Sequence, residues 1–106
     1  MAEDWAADVK KYAADADDAV IATLLKNYRL VMNDRDSAYV ALSDATERAT
    51  VKTNFLKKKL GLTDGDDVLD AALDEVALAM KADRTKSRIT VYYLLADKFG
   101  KLDLFR

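Results

Sequence analysis

At 106 residues, 51% of them hydrophobic and 34% charged, the chain has the length of one domain and enough apolar content to bury a core in water. It holds no cysteine, which excludes a disulfide framework and thiolate metal sites, and no histidine, which removes the commonest general base and the imidazole ligand. The formal charge of -2 does not by itself point to nucleic acid or a membrane, and the split between a net acidic first half and a net basic second half is mild.

The start, Met1-Ala2-Glu3-Asp4-Trp5, lacks the basic segment and apolar stretch of a secretory signal, so a cytoplasmic location is expected. Trp5, Val9 and Tyr12 stand at i, i+4 and i+7, behind Glu3 and Asp4 and ahead of Lys10 and Lys11, a polarity that suits the helix dipole. This predicts a first helix. Asp15, Asp17 and Asp18 offer caps to a second, whose apolar face runs through Ile21, Leu24, Leu25, Tyr28 and Met32. Asn33 to Ser37 reads as a turn, with a single helical turn expected through Tyr39 and Leu42.

Asp44 and Glu47 have capping-box spacing and open a helix carrying Val51, Phe55, Leu56 and Leu60, which Gly61 ends. Beyond Thr63-Asp64-Gly65-Asp66, the stripe Leu69, Ala72, Leu73, Val76 and Met80 predicts a fourth long helix. The last element, Ile89-Thr90-Val91-Tyr92-Tyr93, has the composition of a strand. The chain offers no convincing second strand, and a lone strand would leave its backbone donors unpaired. A helix over 83–99 is therefore expected, capped by Asp83, ended by Gly100 and apolar nearly all round, hence central. The expected architecture is all-α: one domain over 1–106, a compact bundle of four to five helices with a mostly buried C-terminal helix, and the tail Leu102 to Phe105 docked on the bundle.

Ala2-Glu3-Asp4-Trp5, Phe55-Leu56-Lys57-Lys58-Lys59-Leu60-Gly61-Leu62 and the stretch from Met80 to Gly100, above all Lys81 to Arg88 running into Tyr92-Tyr93-Leu94-Leu95-Ala96, resemble a family of small uncharacterised bacterial proteins, domain of unknown function 2853. The resemblance spans essentially the whole chain. It implies a bacterial source and brings no activity or site residue with it.

The sharpest surface feature is Lys81, Arg84 and Arg88 at i, i+3 and i+7, three cations on one face at the start of the last helix, where the dipole is already positive. A phosphate-bearing partner held with Thr85 and Ser87 as extra donors would compensate them; so would pairing with Asp70, Asp74 or Glu75. Exchanging Arg84 and Arg88 for glutamine is expected to leave folding intact and to weaken binding to any anionic partner. Lys57, Lys58 and Lys59 close a helix, where cations offset the dipole. A helix-turn-helix around Gly61 is excluded by Asp66, Asp67, Asp70, Asp74 and Glu75 on its second helix, which would face phosphate with like charge. Asp64, Asp66 and Glu75 match three calcium-loop positions, but Val68 and Leu69 fall where an oxygen ligand and a glycine are required.

The expectation is a small cytoplasmic, non-enzymatic binding or adaptor domain with no catalytic residue, cofactor or metal, acting on a protein partner or small anion. No membrane is involved, nucleic acid is disfavoured, and the chain is a monomer or weak homo-oligomer. The alternative is an anion- or nucleic-acid-binding accessory protein that uses the Lys81/Arg84/Arg88 face.

Overall fold

The computed structural model describes residues 5–34, 36–83 and 85–106. The first helix, α1 (Trp5–Tyr12), is followed by α2 (Asp18–Asn27), whose N-terminus is capped by Asp17 accepting from the Ala19 amide. The apolar stripe expected to run on to Met32 is interrupted at Tyr28, where φ is -114° and ψ 23°, and it resumes as the short α3 (Arg29–Asn33). Asp34 organises the turn beyond by accepting from the Asp36 and Ser37 amides. Arg35 lies outside the described residues.

Two expectations are corrected here. The segment at Tyr39 is extended, not helical: β1 (Tyr39–Val40) pairs antiparallel with β2 (Lys86–Ser87), Tyr39 opposite Ser87 and Val40 opposite Lys86. A partner strand therefore exists, although each strand is only two residues long and has no alternation to read. The last helix, α6 (Arg88–Lys98), starts five residues later than expected, because residues 86 and 87 are committed to the ladder and the Arg88 amide donates to Ala38 O at 2.8 Å. Ser87 caps it through Thr90 N. Asp83 is taken by other partners.

The middle helix divides as well. Asp44 caps α4 (Ala45–Thr50) by accepting from Thr46 N and Glu47 N, but from Val51 to Lys59 the ladder widens to π-helix. Apolar spacing supplies the reason. Leu60 stands nine positions after Val51, about two and a half turns of an α-helix, which would put the two on opposite sides. A ladder closing i→i+5 brings Val51, Phe55, Leu56 and Leu60 to one side, and all four are buried. Leu60 N bonds Phe55 O at 2.8 Å, and Gly61 ends the segment at φ +69°, a conformation that a side chain disfavours.

Next come α5 (Asp66–Ala79), α6, and a 3₁₀ turn, Leu102–Phe105. The protein is mostly helical, and the buried side chains form one contiguous cluster. As expected, α6 is its centre: Ile89, Thr90, Val91, Tyr92, Tyr93, Leu95 and Ala96 are buried, and the helix packs against α1, α2 and α5. Burial from several sides overrides the strand propensity of its β-branched residues. Phe55 stacks on Tyr92 with ring centroids 3.9 Å apart and planes 8° from parallel, and Phe105 lies 6.2 Å beyond, so the docked tail completes an aromatic stack.

Candidate functional site

The described residues of the expected cationic face fall in different local settings. Lys81 lies in the turn after α5, Thr85 is exposed ahead of β2, Ser87 is buried as a helix cap, and Arg84 is outside the described residues. Arg88 is turned inward: Nε donates to Ser37 O at 2.7 Å, a terminal nitrogen donates to the Tyr92 hydroxyl at 2.8 Å, and the guanidinium lies over the Tyr92 ring. Its fork thus ties the loop before β1 to α6. Nor do the acids expected to answer this face do so. Arg48 pairs with Asp70 and Asp74, Lys52 with Asp70, and Lys98 with Glu75, each joining neighbouring helices. In the lysine run, Lys57 pairs with Asp66 at 2.9 Å and depresses its carboxyl, while Lys59 lies over the Phe105 ring.

A polar network that sequence spacing does not reveal joins α1 to the last third of the chain. The Tyr12 hydroxyl donates to Asp83 at 2.5 Å, Lys11 lies 3.2 Å from Asp8 and 3.3 Å from Asp83, and the buried Thr90 hydroxyl donates to Asp8. Burial, then donation to Asp83, pushes the Tyr12 phenol up to about 12, and the bond from Tyr12 holds the Asp83 carboxyl below its ordinary value of 3.8. Such a phenol stays protonated at neutral pH. Tyr12 therefore works as a donor in a staple and is unsuited to removing a proton from a substrate.

The two shifts give the Tyr12–Asp83 bond opposite pH dependence at its two ends. Asp83 contributes above pH 3.8 and loses its contribution as pH falls through the lowered value. Tyr12 contributes below pH 10 and loses it between pH 10 and about 12. Tyr12→Phe should therefore cost about 1 kcal/mol at neutral pH, a charge-assisted bond discounted for solvent screening. Chemical denaturation across pH should show this deficit shrinking toward both extremes.

The described surface also carries clefts. Between α5 and α6 lie adjoining depressions of about 430 and about 220 Å³, both walled by Glu75 and Lys98, whose ion pair of 2.7 Å bridges them. Their apolar lining comes from Val68, Ala71, Ala72 and Phe99 on one side of the bridge and from Val76, Ala79 and Leu94 on the other. Val68 is 43% exposed and Leu78, on the outer flank of α5, 67%. A signal for this face existed: Val68, Ala71, Leu78 and Ala79 are apolar positions of α5 outside its core stripe. A third depression, of about 340 Å³, lies between α1 and the α2–α3 junction. Among the described residues no three acidic side chains gather as a metal site, and no helix is long and apolar enough to cross a membrane.

Over residues 4–103 the chain matches the family described as "Protein of unknown function (DUF2853)", and it belongs to that family. No curated protein matches it.

Proposed function

With a family that supplies no activity to inherit, we propose that this member is a small, non-catalytic binding domain whose α5–α6 groove receives an amphipathic helix with basic flanks. The observation that carries this is a pair of apolar depressions in line between two helices, joined under one ion pair. That shape suits the apolar stripe of a third helix, with side chains at i, i+3 or i+4 and i+7 dropping into successive hollows. Charge selects the partner. Asp67 on the α5 wall and Asp97 on the α6 wall have no ion-pair partner among the described residues, and α5 itself bears Asp66, Asp67, Asp70, Asp74 and Glu75 with no base. Lysine or arginine beside the partner's stripe would meet Asp67 and Asp97. Support for a non-catalytic role comes from the titratable clusters: Asp8, Lys11, Tyr12 and Asp83, and Arg48, Lys52, Asp70 and Asp74, are occupied holding helices together. The cytoplasmic location expected from the sequence belongs to the same proposal.

A fourteen-residue Leu/Lys amphipathic peptide and its Leu/Glu counterpart test the groove. The lysine peptide should bind, and Ala71→Arg, on an exposed position that leaves the core untouched, should weaken it about tenfold by filling the hollow and reversing the local charge. Equal binding of the two peptides, or indifference to Ala71→Arg, would refute the proposal.

A further inference from the structure

The depression between α1 and the α2–α3 junction has a different chemistry. Trp5, Leu25 and Met32 give it apolar walls, and Lys26, Arg29 and Asn33 line its polar side. The break at Tyr28 sets the site up: α2 ends at Asn27 and α3 begins at Arg29, so Lys26 and Arg29 stand on either side of the interruption and line one cleft. Trp5 is half-buried and held edge-on by Tyr39, with ring centroids 5.7 Å apart, which fixes one wall. Lys11, Arg48, Lys52 and Lys57 each face a carboxylate, whereas among the described residues Lys26 and Arg29 form no ion pair and no acid lines the cleft.

We infer that this cleft is a binding site for a small soluble molecule that joins an apolar body to a carboxylate. Its volume of about 340 Å³ lies in the range of small-molecule sites. The apolar body would rest against Trp5, Leu25 and Met32. The carboxylate would accept from the Arg29 fork and the Lys26 ammonium, with the Asn33 amide as a neutral donor beside them. This site is separate from the α5–α6 groove, and either can fail without the other.

Trp5 is the only tryptophan, so quenching of its emission reports a probe bound to this small chain, and the Lys26/Arg29 substitutions assign that binding to the cleft. Anthracene-2-carboxylate, which absorbs where tryptophan emits, is the probe, and anthracene-2-methanol is its uncharged counterpart. Saturable quenching of Trp5 at one molecule per chain is expected. The alcohol should bind about tenfold more weakly, and so should the carboxylate to the Lys26→Gln/Arg29→Gln variant, since each change removes a charge-assisted interaction. Both replaced side chains are exposed, and an unchanged melting temperature and circular dichroism spectrum would show that the variant folds. Absence of saturable quenching, equal affinity for acid and alcohol, or indifference to the double substitution would overturn the site. So would tight binding of the protein to phosphatidylglycerol vesicles that the carboxylate fails to displace, which would make the patch a membrane contact instead.

Discussion

Phe55→Ala is expected to remove a large part of the protein's folding stability. Phe55 is 1% exposed, stacks between Tyr92 and Phe105, and meets the edge of Tyr28, with ring centroids 6.4 Å apart. Removing a buried phenyl ring costs about 3–5 kcal/mol, the lost transfer energy plus the cavity left behind. A domain of this size has roughly 5–15 kcal/mol in total, so the melting temperature should fall by about 15 °C or more in a thermal scan. The position also tests the π-helical segment. If residues 51–59 formed a regular α-helix, Val51 and Leu60 would point to opposite sides and one of them would reach solvent. Val51→Ala and Leu60→Ala would then differ sharply in cost, whereas both are expected to be destabilising as core truncations.

Arg88→Gln carries the second large effect, and it bears on function because Arg88 is one of the three cations of the expected anion-binding face. Two bonds from a charged donor are lost, to Ser37 O and to the Tyr92 hydroxyl, together with the contact over the Tyr92 ring. Bonds of this kind contribute about 1.5–3 kcal/mol each when well shielded, and discounting for the half-exposed site leaves about 2 kcal/mol in all. Lysine should not rescue the loss, since an ammonium lacks the planar fork that spans both acceptors. Urea denaturation measures this directly. A variant within 0.5 kcal/mol of the parent, as is roughly usual for surface substitutions, would return Arg88 to the role of a surface contact.

The contrast between these residues shows what periodicity reveals and what it hides. Helices whose stripes follow the 3.6-residue period, α1 and α5 among them, are read from the chain directly, and α6 is recovered by asking where the backbone bonds of a lone strand would go. The π-helical segment is visible in hindsight: Val51, Phe55, Leu56 and Leu60 fit four to five residues per turn better than 3.6. The Tyr39–Val40 and Lys86–Ser87 ladder is too short to leave a pattern, yet it moves the start of α6 from the Asp83 region to Arg88, so that Lys81 and Arg88 do not share a helix.

Side-chain partners were the least legible. Asp83 has the chemistry of a cap, and it instead receives the Tyr12 hydroxyl from 71 positions earlier. The Arg88 acceptor, Ser37, is 51 positions away. Such pairings depend on how α1 and the β1 loop fold back over α6, which no local spacing encodes. The apolar positions of α5 outside its core stripe did carry a signal, since a helix with one buried stripe has no packing need for Val68, Ala71, Leu78 and Ala79 beside it.

The most direct measurement is a map of amide shifts in the ¹⁵N-labelled protein as the Leu/Lys peptide is titrated in. Changes concentrated along both walls of the groove, at Val68, Ala71, Glu75, Leu94, Lys98 and Phe99, are the predicted result. Changes centred instead on Lys81, Thr85 and Lys86, with the groove silent, would contradict it and place recognition on the turn between α5 and α6.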